Sequence, residues 1–127
     1  MYNFYEKEKL FLGKDEKIQK IINSWQGSQR LKEDTWQNVQ LVLDYYGFTY
    51  ERKKEWVCHH EKFSELAKNP LAKDLLNRVG LGTHGEFSLA VTHGSKKKSG
   101  MVLHYYLSDI LRYIDFLKFL ERKEENS

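Results

Sequence analysis

The sequence has little of the residue types that disulfide-linked and membrane-spanning proteins need. Among its 127 residues there is one cysteine, Cys58, and one proline, Pro70. A single cysteine excludes an intramolecular disulfide and a cysteine-rich metal site, and it fits a reducing compartment. No apolar run approaches the roughly 20 residues that span a membrane, and the first residues lack the basic-then-apolar order of a signal peptide. We therefore expect a cytoplasmic protein without membrane contact.

Acidic residues are also missing from one long stretch of an otherwise mildly basic chain. The net charge is +3, the pI is near 8.9 and hydrophobic residues make up 40%, which is enough to form a core. No carboxylate occurs from Phe87 to Ser108. That stretch carries His93, Lys96, Lys97, Lys98 and His104. The length predicts a single domain over residues 1–127.

Two helices are predicted in the first part of the chain. Apolar residues spaced at i, i+3, i+4 and i+7 over residues 18–25 predict an amphipathic helix within an N-terminal extension, residues 1–33. A second helix is expected to begin at a capping residue, Asp34 or Thr35. It is expected to end at Gly47, where a left-handed cap fits.

Alternating apolar and polar residues predict three strands; they cover residues 48–52, 56–60 and 86–93. Between the last two strands, residues 61–85 predict a helical insertion in which Pro70 begins a second short helix. A long helix with apolar residues from Leu103 to Leu117 closes the chain. The order predicts an α+β fold in which a three-stranded antiparallel sheet packs on helices.

The second predicted strand ends in a histidine pair, His59 and His60. Residues two apart in a strand share a face, so Trp56 and Cys58 are predicted to share the face of His60. That face is expected to be open to solvent and to lie near Lys96–Lys98. Because adjacent strand histidines point apart and zinc needs three or four ligands, no metal site is predicted, and no cofactor motif is present.

The three lysines Lys96, Lys97 and Lys98 directly precede the last predicted helix. A helix N-terminus offers free backbone N–H groups and partial positive charge, which attract phosphate. Such a loop binds a nucleic-acid backbone without reading its sequence. An ordinary solvated turn is the alternative interpretation.

Together these features resemble the HicA family of toxins. Gly47-Phe48 opens a strand, the next strand ends in the histidine pair, His93-Gly94 precedes basic residues, and Leu107-Ser108-Asp109-Ile110-Leu111 lies in the closing helix. The resemblance covers Trp36 to Phe116 apart from the insertion. It implies a double-stranded-RNA-binding-like α-β-β-β-α core. The sequence departs from the family at Val57-Cys58, where the family motif has Gly-Ser.

The resemblance implies a toxin-like endoribonuclease, an mRNA interferase of a type II toxin–antitoxin system, with RNA as substrate and a HicB-like antitoxin as partner. The motif histidine falls on His60, which is then the catalytic residue. The residues expected to bind RNA are His59, His93, Lys96, Lys97 and Lys98. An imidazole exchanges protons near neutral pH and RNA carries its own 2′-hydroxyl nucleophile, so cleavage is expected to need no metal or cofactor. Replacing His60 is expected to abolish cleavage and leave the fold intact.

Two other interpretations are open. One is a binding module that keeps the fold and the basic loop but does not cleave RNA, so that His60 only packs or forms hydrogen bonds. The other is a protein-interaction domain whose partner surface is formed by the aromatic N-terminus and the insertion.

Overall fold

The structure is a computed structural model that describes residues 15–92 and 100–125 of the chain. Its first helix, α1, is described over residues 15–24. The elements that follow are β1 (Glu33–Thr35), α2 (Trp36–Tyr45), β2 (Thr49–Arg52), β3 (Trp56–His59), α3 (Glu61–Ala67), a 3-10 turn (Pro70–Ala72), α4 (Lys73–Val79), β4 (Phe87–Leu89), β5 (Met101–Leu103) and α5 (His104–Glu125). The predicted α+β class is confirmed.

The three predicted strands form one antiparallel sheet in the order β2-β3-β4. In its register Tyr50 pairs with Cys58, and Cys58 pairs with Phe87. Because side chains alternate along a strand, these three residues share one face. That face is the covered one, since Cys58 and Phe87 are both buried.

A second, two-stranded antiparallel sheet joins β1 to β5 and was not predicted from the sequence. Strand β5 occupies Met101–Leu103, where the sequence predicts the start of the closing helix; that helix begins at His104. Backbone bonds continue the pairing, from Trp36 N–H to the Gly100 carbonyl (2.7 Å) and from His104 N–H to the Lys32 carbonyl (2.9 Å). Because the strands are antiparallel, α2 and α5 begin at opposite ends of this short sheet.

Local chemistry explains several element ends. The Thr35 hydroxyl accepts a hydrogen bond from the Asn38 N–H, so Thr35 caps α2. Gly47 has φ 84°, the left-handed conformation expected after that helix. Pro70 begins a 3-10 turn rather than an α-helix, and α4 starts three residues later at Lys73.

The buried carboxylate of Asp34 joins α1 to α2. It accepts hydrogen bonds from Trp25 Nε1 (2.8 Å), the Thr35 N–H (2.7 Å) and Asn38 Nδ2 (2.9 Å). Three donors compensate for the loss of water around this group. Asp34 thus fixes the N-terminal helix on the rest of the fold.

One hydrophobic core contains residues of every α-helix and of both sheets. Helix α5 covers the sheet: Tyr113 contacts Phe87 (ring centroids 4.3 Å apart), and Phe116 stacks on Phe63 of the insertion (5.5 Å). Across residues 15–92 and 100–125, none of the helices is long and apolar enough to cross a membrane.

Candidate functional site

His60 lies immediately after β3 and acts as the N-cap of α3. Its Nδ1 accepts a hydrogen bond from the Lys62 N–H (3.1 Å), and its Nε2 lies 2.9 Å from the Tyr46 carbonyl oxygen. A carbonyl only accepts, so Nε2 is the protonated nitrogen. The ring also packs edge-on against Phe48, with centroids 4.9 Å apart. Both ring nitrogens are therefore engaged inside the protein.

The prediction that His60 lies on an open sheet face is wrong. The residue is only 8% exposed, and it shares its side of the strand with the fully buried Cys58. Strand alternation correctly predicts that the two residues share a face, but helices cover that face. In this geometry neither nitrogen of His60 has a lone pair or a proton directed to solvent.

His59 lies on the other face of the sheet, which is the open one. We define the open face by the five outward-facing residues of the sheet: Thr49, Glu51, Val57, His59 and Ser88. The His59 side chain is 36% exposed, and its Nε2 lies 3.6 Å from Glu51 Oε1. This pairing gives the open face an imidazole beside a carboxylate, an arrangement that can exchange protons with a bound molecule.

His93 and the three lysines Lys96, Lys97 and Lys98 lie outside the described residues, in the segment 93–99. The two ends of this segment are joined by hydrogen bonds from Gly100 N–H to the Thr92 carbonyl (2.8 Å) and from Thr92 N–H to the Met101 carbonyl (2.9 Å). Since Leu89 pairs with Trp56, the chain leaves the sheet at the Trp56 end of β3. His59 is three residues away along that strand, about 10 Å by strand rise.

Three aromatic side chains meet at this Trp56 end: Trp36, Tyr50 and Trp56, which we call the aromatic corner. Their ring centroids lie 5.3 Å (Trp36–Tyr50), 4.9 Å (Trp36–Trp56) and 5.8 Å (Tyr50–Trp56) apart. The β1-β5 pairing holds Trp36 in place, and all three rings are half-buried. The Tyr50 hydroxyl donates to Asp44 (3.0 Å). The corner is therefore a fixed aromatic surface with part of its area open to solvent.

A cleft of about 260 Å³ adjoins the aromatic corner. Its lining combines two basic residues, one acidic residue, one indole ring and two small apolar side chains: Arg52, Lys54, Glu55, Trp56, Ala90 and Val91. Tyr106 lies near two residues of this lining, Glu55 and Ala90. Burial, and then Tyr105 and Glu55, raise the pKa of the Tyr106 phenol, while a hydrogen bond with the Ala90 backbone lowers it. Tyr105, which is 50% exposed, packs on Tyr106 with centroids 4.4 Å apart.

Comparison with family models, curated proteins and solved structures returns no match for this chain. The chemistry of the open face and of the aromatic corner is therefore inferred from their geometry. Within the part of the chain that the structure describes, no group of three or more His, Cys, Asp or Glu side chains is placed to hold a metal ion.

Sequence reasoning missed the aromatic corner because its members come from three separate elements. A signal was present: Tyr50 and Trp56 lie in two successive predicted strands, and the aromatic content is high at 14%. Trp36 joins them through tertiary contacts that include the β1-β5 pairing, and no local pattern predicts these contacts.

The insertion carries the most exposed large apolar side chain among the described residues. Leu71 is 90% exposed, and Leu75, one helical turn later, is also exposed. Residues 1–14, the aromatic N-terminus, lie outside the described part of the chain. If the chain is a protein-interaction domain, the partner surface expected on the insertion has two exposed leucines.

Proposed function

We propose that the chain is an RNA-binding protein with a double-stranded-RNA-binding-like fold of HicA type, and that single-stranded RNA binds at the aromatic corner. The observation that carries this proposal is the half-buried cluster of Trp36, Tyr50 and Trp56 beside Arg52 and Lys54. Unpaired bases stack on aromatic rings and phosphates pair with cations.

The lysine triplet supports the same proposal. The residues that flank the segment 93–99, Thr92 and Gly100, are hydrogen-bonded to each other, and Thr92 directly follows Ala90 and Val91 of the cleft lining. The three consecutive lysines of this segment supply positive charge for the phosphates of an RNA strand whose bases stack at the aromatic corner. The aromatic rings then position the bases, and the lysines contribute affinity without sequence preference.

We expect the combined change Lys96→Ala, Lys97→Ala and Lys98→Ala to flatten the salt dependence of RNA affinity. Each lost phosphate contact reduces the slope of log affinity against log salt by about 0.7 on single strands, so three contacts reduce it by about 2. Fluorescence anisotropy with a labelled oligoribonucleotide at several salt concentrations measures the slope. The matched control removes three positive charges elsewhere: Lys68→Ala, Lys73→Ala and Arg78→Ala. Equal slope changes in the two triple variants would contradict a specific role for the loop.

A second candidate function, RNA cleavage, is favoured by the Glu51–His59 pair on the open face. An imidazole beside a carboxylate is suited to accept a proton from the 2′-hydroxyl, and the bonds of His60 leave His59 as the exposed member of the pair. The proposed proton carrier therefore moves from His60 to His59. A HicB-like antitoxin, which the family resemblance implies, belongs to this candidate, and Leu71 and Leu75 give it an apolar surface to contact.

If the chain cleaves RNA, His59→Ala is expected to slow cleavage by about 10²–10⁴-fold, the usual contribution of one general acid–base group. Gel analysis of an oligoribonucleotide, with its 2′-deoxy counterpart as a substrate that cannot react, measures the rate. The control variant is His84→Ala, which removes an exposed histidine from the loop before β4. Intact RNA with the wild-type protein would leave binding as the function, and equal rates for the two variants would contradict the role of His59.

A further inference from the structure

The cleft beside the aromatic corner has the size and lining of a site for one planar heterocycle. Its volume of about 260 Å³ lies just below the roughly 300–1,000 Å³ of pockets that enclose a drug-sized ligand. It has room for a single base but not for an extended cofactor. Trp56 supplies an indole ring, and Ala90 and Val91 supply small apolar side chains.

Stacking on Trp56 is compatible with any base, because every base has a π face. The Trp56 ring is held in place by contacts with Trp36 and Tyr50. Its backbone pairs with Arg52 on one neighbouring strand and with Leu89 on the other. A ring held in this way loses little conformational freedom when a base stacks on it. Selectivity therefore has to come from the polar side chains of the cleft.

Among the described residues that line the cleft, Glu55 is the only one with a carboxylate. A carboxylate presents two acceptor oxygens side by side. Guanine alone among the RNA bases offers two adjacent donors, N1–H and the N2 amino group, on its Watson–Crick edge. Adenine and cytosine offer one amino group, and uracil flanks its single N–H with carbonyl oxygens that repel a carboxylate.

We propose that this cleft binds one unpaired guanine base, stacked on Trp56 and recognised by Glu55. The inference rests on the RNA binding proposed above. Arg52 and Lys54, at the rim, attract the phosphates on either side of the bound nucleotide, which offsets the repulsion between Glu55 and the RNA backbone.

The test compares short uridine oligoribonucleotides that carry at their centre guanosine, inosine or uridine. The wild-type protein is expected to bind the guanosine oligonucleotide about tenfold more tightly than the all-uridine one, as a bidentate base contact does. Inosine, which lacks the N2 amino group, is expected to be intermediate. In Glu55→Gln the ratio between guanosine and uridine is expected to fall to about one, since an amide has only one acceptor oxygen.

The matched control is Glu65→Gln, which removes the same charge from an exposed position on α3 and is expected to keep the guanosine preference. Equal melting temperatures confirm that both variants fold. If the wild-type protein binds none of the oligonucleotides at low salt, RNA binding itself is overturned. If it binds all three equally, RNA binding stands and guanine selection is overturned. A preference that survives in Glu55→Gln overturns the role of Glu55.

Discussion

Replacing His60 with alanine is expected to lower the free energy of unfolding by about 3 kcal/mol and the melting temperature by roughly 10 °C. The change removes the side-chain cap of α3 and deprives two backbone groups, the Lys62 N–H and the Tyr46 carbonyl, of their partner. An N-cap contributes about 1 kcal/mol, and a buried group left without a partner costs about 1–3 kcal/mol. The sequence analysis expects His60→Ala to leave the fold intact. From the structure we instead expect this variant to be substantially destabilised.

Two further variants separate the contributions of the ring. Asparagine is among the best N-capping residues but is too short to replace both ring nitrogens, so His60→Asn is expected to lose less stability than His60→Ala. His59→Ala, which changes the neighbouring exposed histidine, is expected to cost no more than about 0.5 kcal/mol, as most surface changes do. Urea unfolding of all three measures these differences. Equal stability of His59→Ala and His60→Ala would contradict the structural role of His60.

This structural role changes how activity data on the histidine pair are interpreted. Loss of RNA cleavage in His60→Ala would follow from a weakened fold as readily as from a lost proton carrier. His59→Ala is easier to interpret, because its side chain lies on the open face of the sheet, is 36% exposed and forms no cap of a helix. The informative variant for catalysis is the one at residue 59.

The sequence predicts the elements whose pattern is local. The spacing of Ile18, Ile21, Ile22 and Trp25 predicts a helix, and all four side chains are buried. Thr35 and Gly47 mark the two ends of α2 because capping and the left-handed conformation depend on single residue types. The three strands of the main sheet follow from alternation in the same way.

The open side of the sheet could not be taken from alternation, because the pattern assigns residues to two faces without saying which one is covered. Composition gives the answer: the face with Trp56 and Cys58 is more apolar than the face with Glu51 and His59, and helices cover it. Strands β1 and β5 are three residues long and pair across more than sixty positions of the chain. Such pairing depends on tertiary contacts, so no local pattern predicts it.

The sheet also separates two candidate sites that the sequence analysis expected to lie close together. The histidine pair lies at one end of β3, whereas the aromatic corner and Thr92, the residue before the basic segment, lie towards the other. A bound single strand that stacks at the corner has to extend about 10 Å along the sheet before it reaches His59. Binding at the corner therefore does not require cleavage at the histidine, and variants at the two ends are expected to affect the two properties independently.

Cys58 gives the largest expected pH effect on stability. The residue is 0% exposed, and burial raises the pKa of its thiol from 9.0 to about 12. Below about pH 9 the thiol is neutral in the folded and unfolded chains, so it does not affect their balance. As the pH rises above that value the unfolded chain ionises and the folded chain does not, so stability falls by about 1.4 kcal/mol per pH unit until the folded thiol also titrates near pH 12.

Urea unfolding at about pH 8 and about pH 10.5 is expected to show a loss of about 2 kcal/mol from this one group. Burial also raises the pKa values of the Tyr50 and Tyr113 phenols, which act in the same direction. Cys58→Ala isolates the thiol, because it removes the titrating group and leaves both tyrosines, and its stability is expected to change less between the two pH values. Parallel pH dependence in the wild type and Cys58→Ala would show that the thiol does not contribute.

The same burial protects the sulfur from reagents. The thiolate is the reactive form, and a shift of the pKa from 9.0 to about 12 lowers its population at about pH 8 by roughly 10³-fold. Alkylation of the folded protein is therefore expected to be slower than alkylation of the urea-unfolded chain by at least that factor, since lack of solvent access adds to the effect. Mass spectrometry after timed exposure to iodoacetamide measures both rates. Comparable rates would mean that the sheet face carrying Cys58 opens in the native state, and the covered face that holds His60 would then be accessible as well.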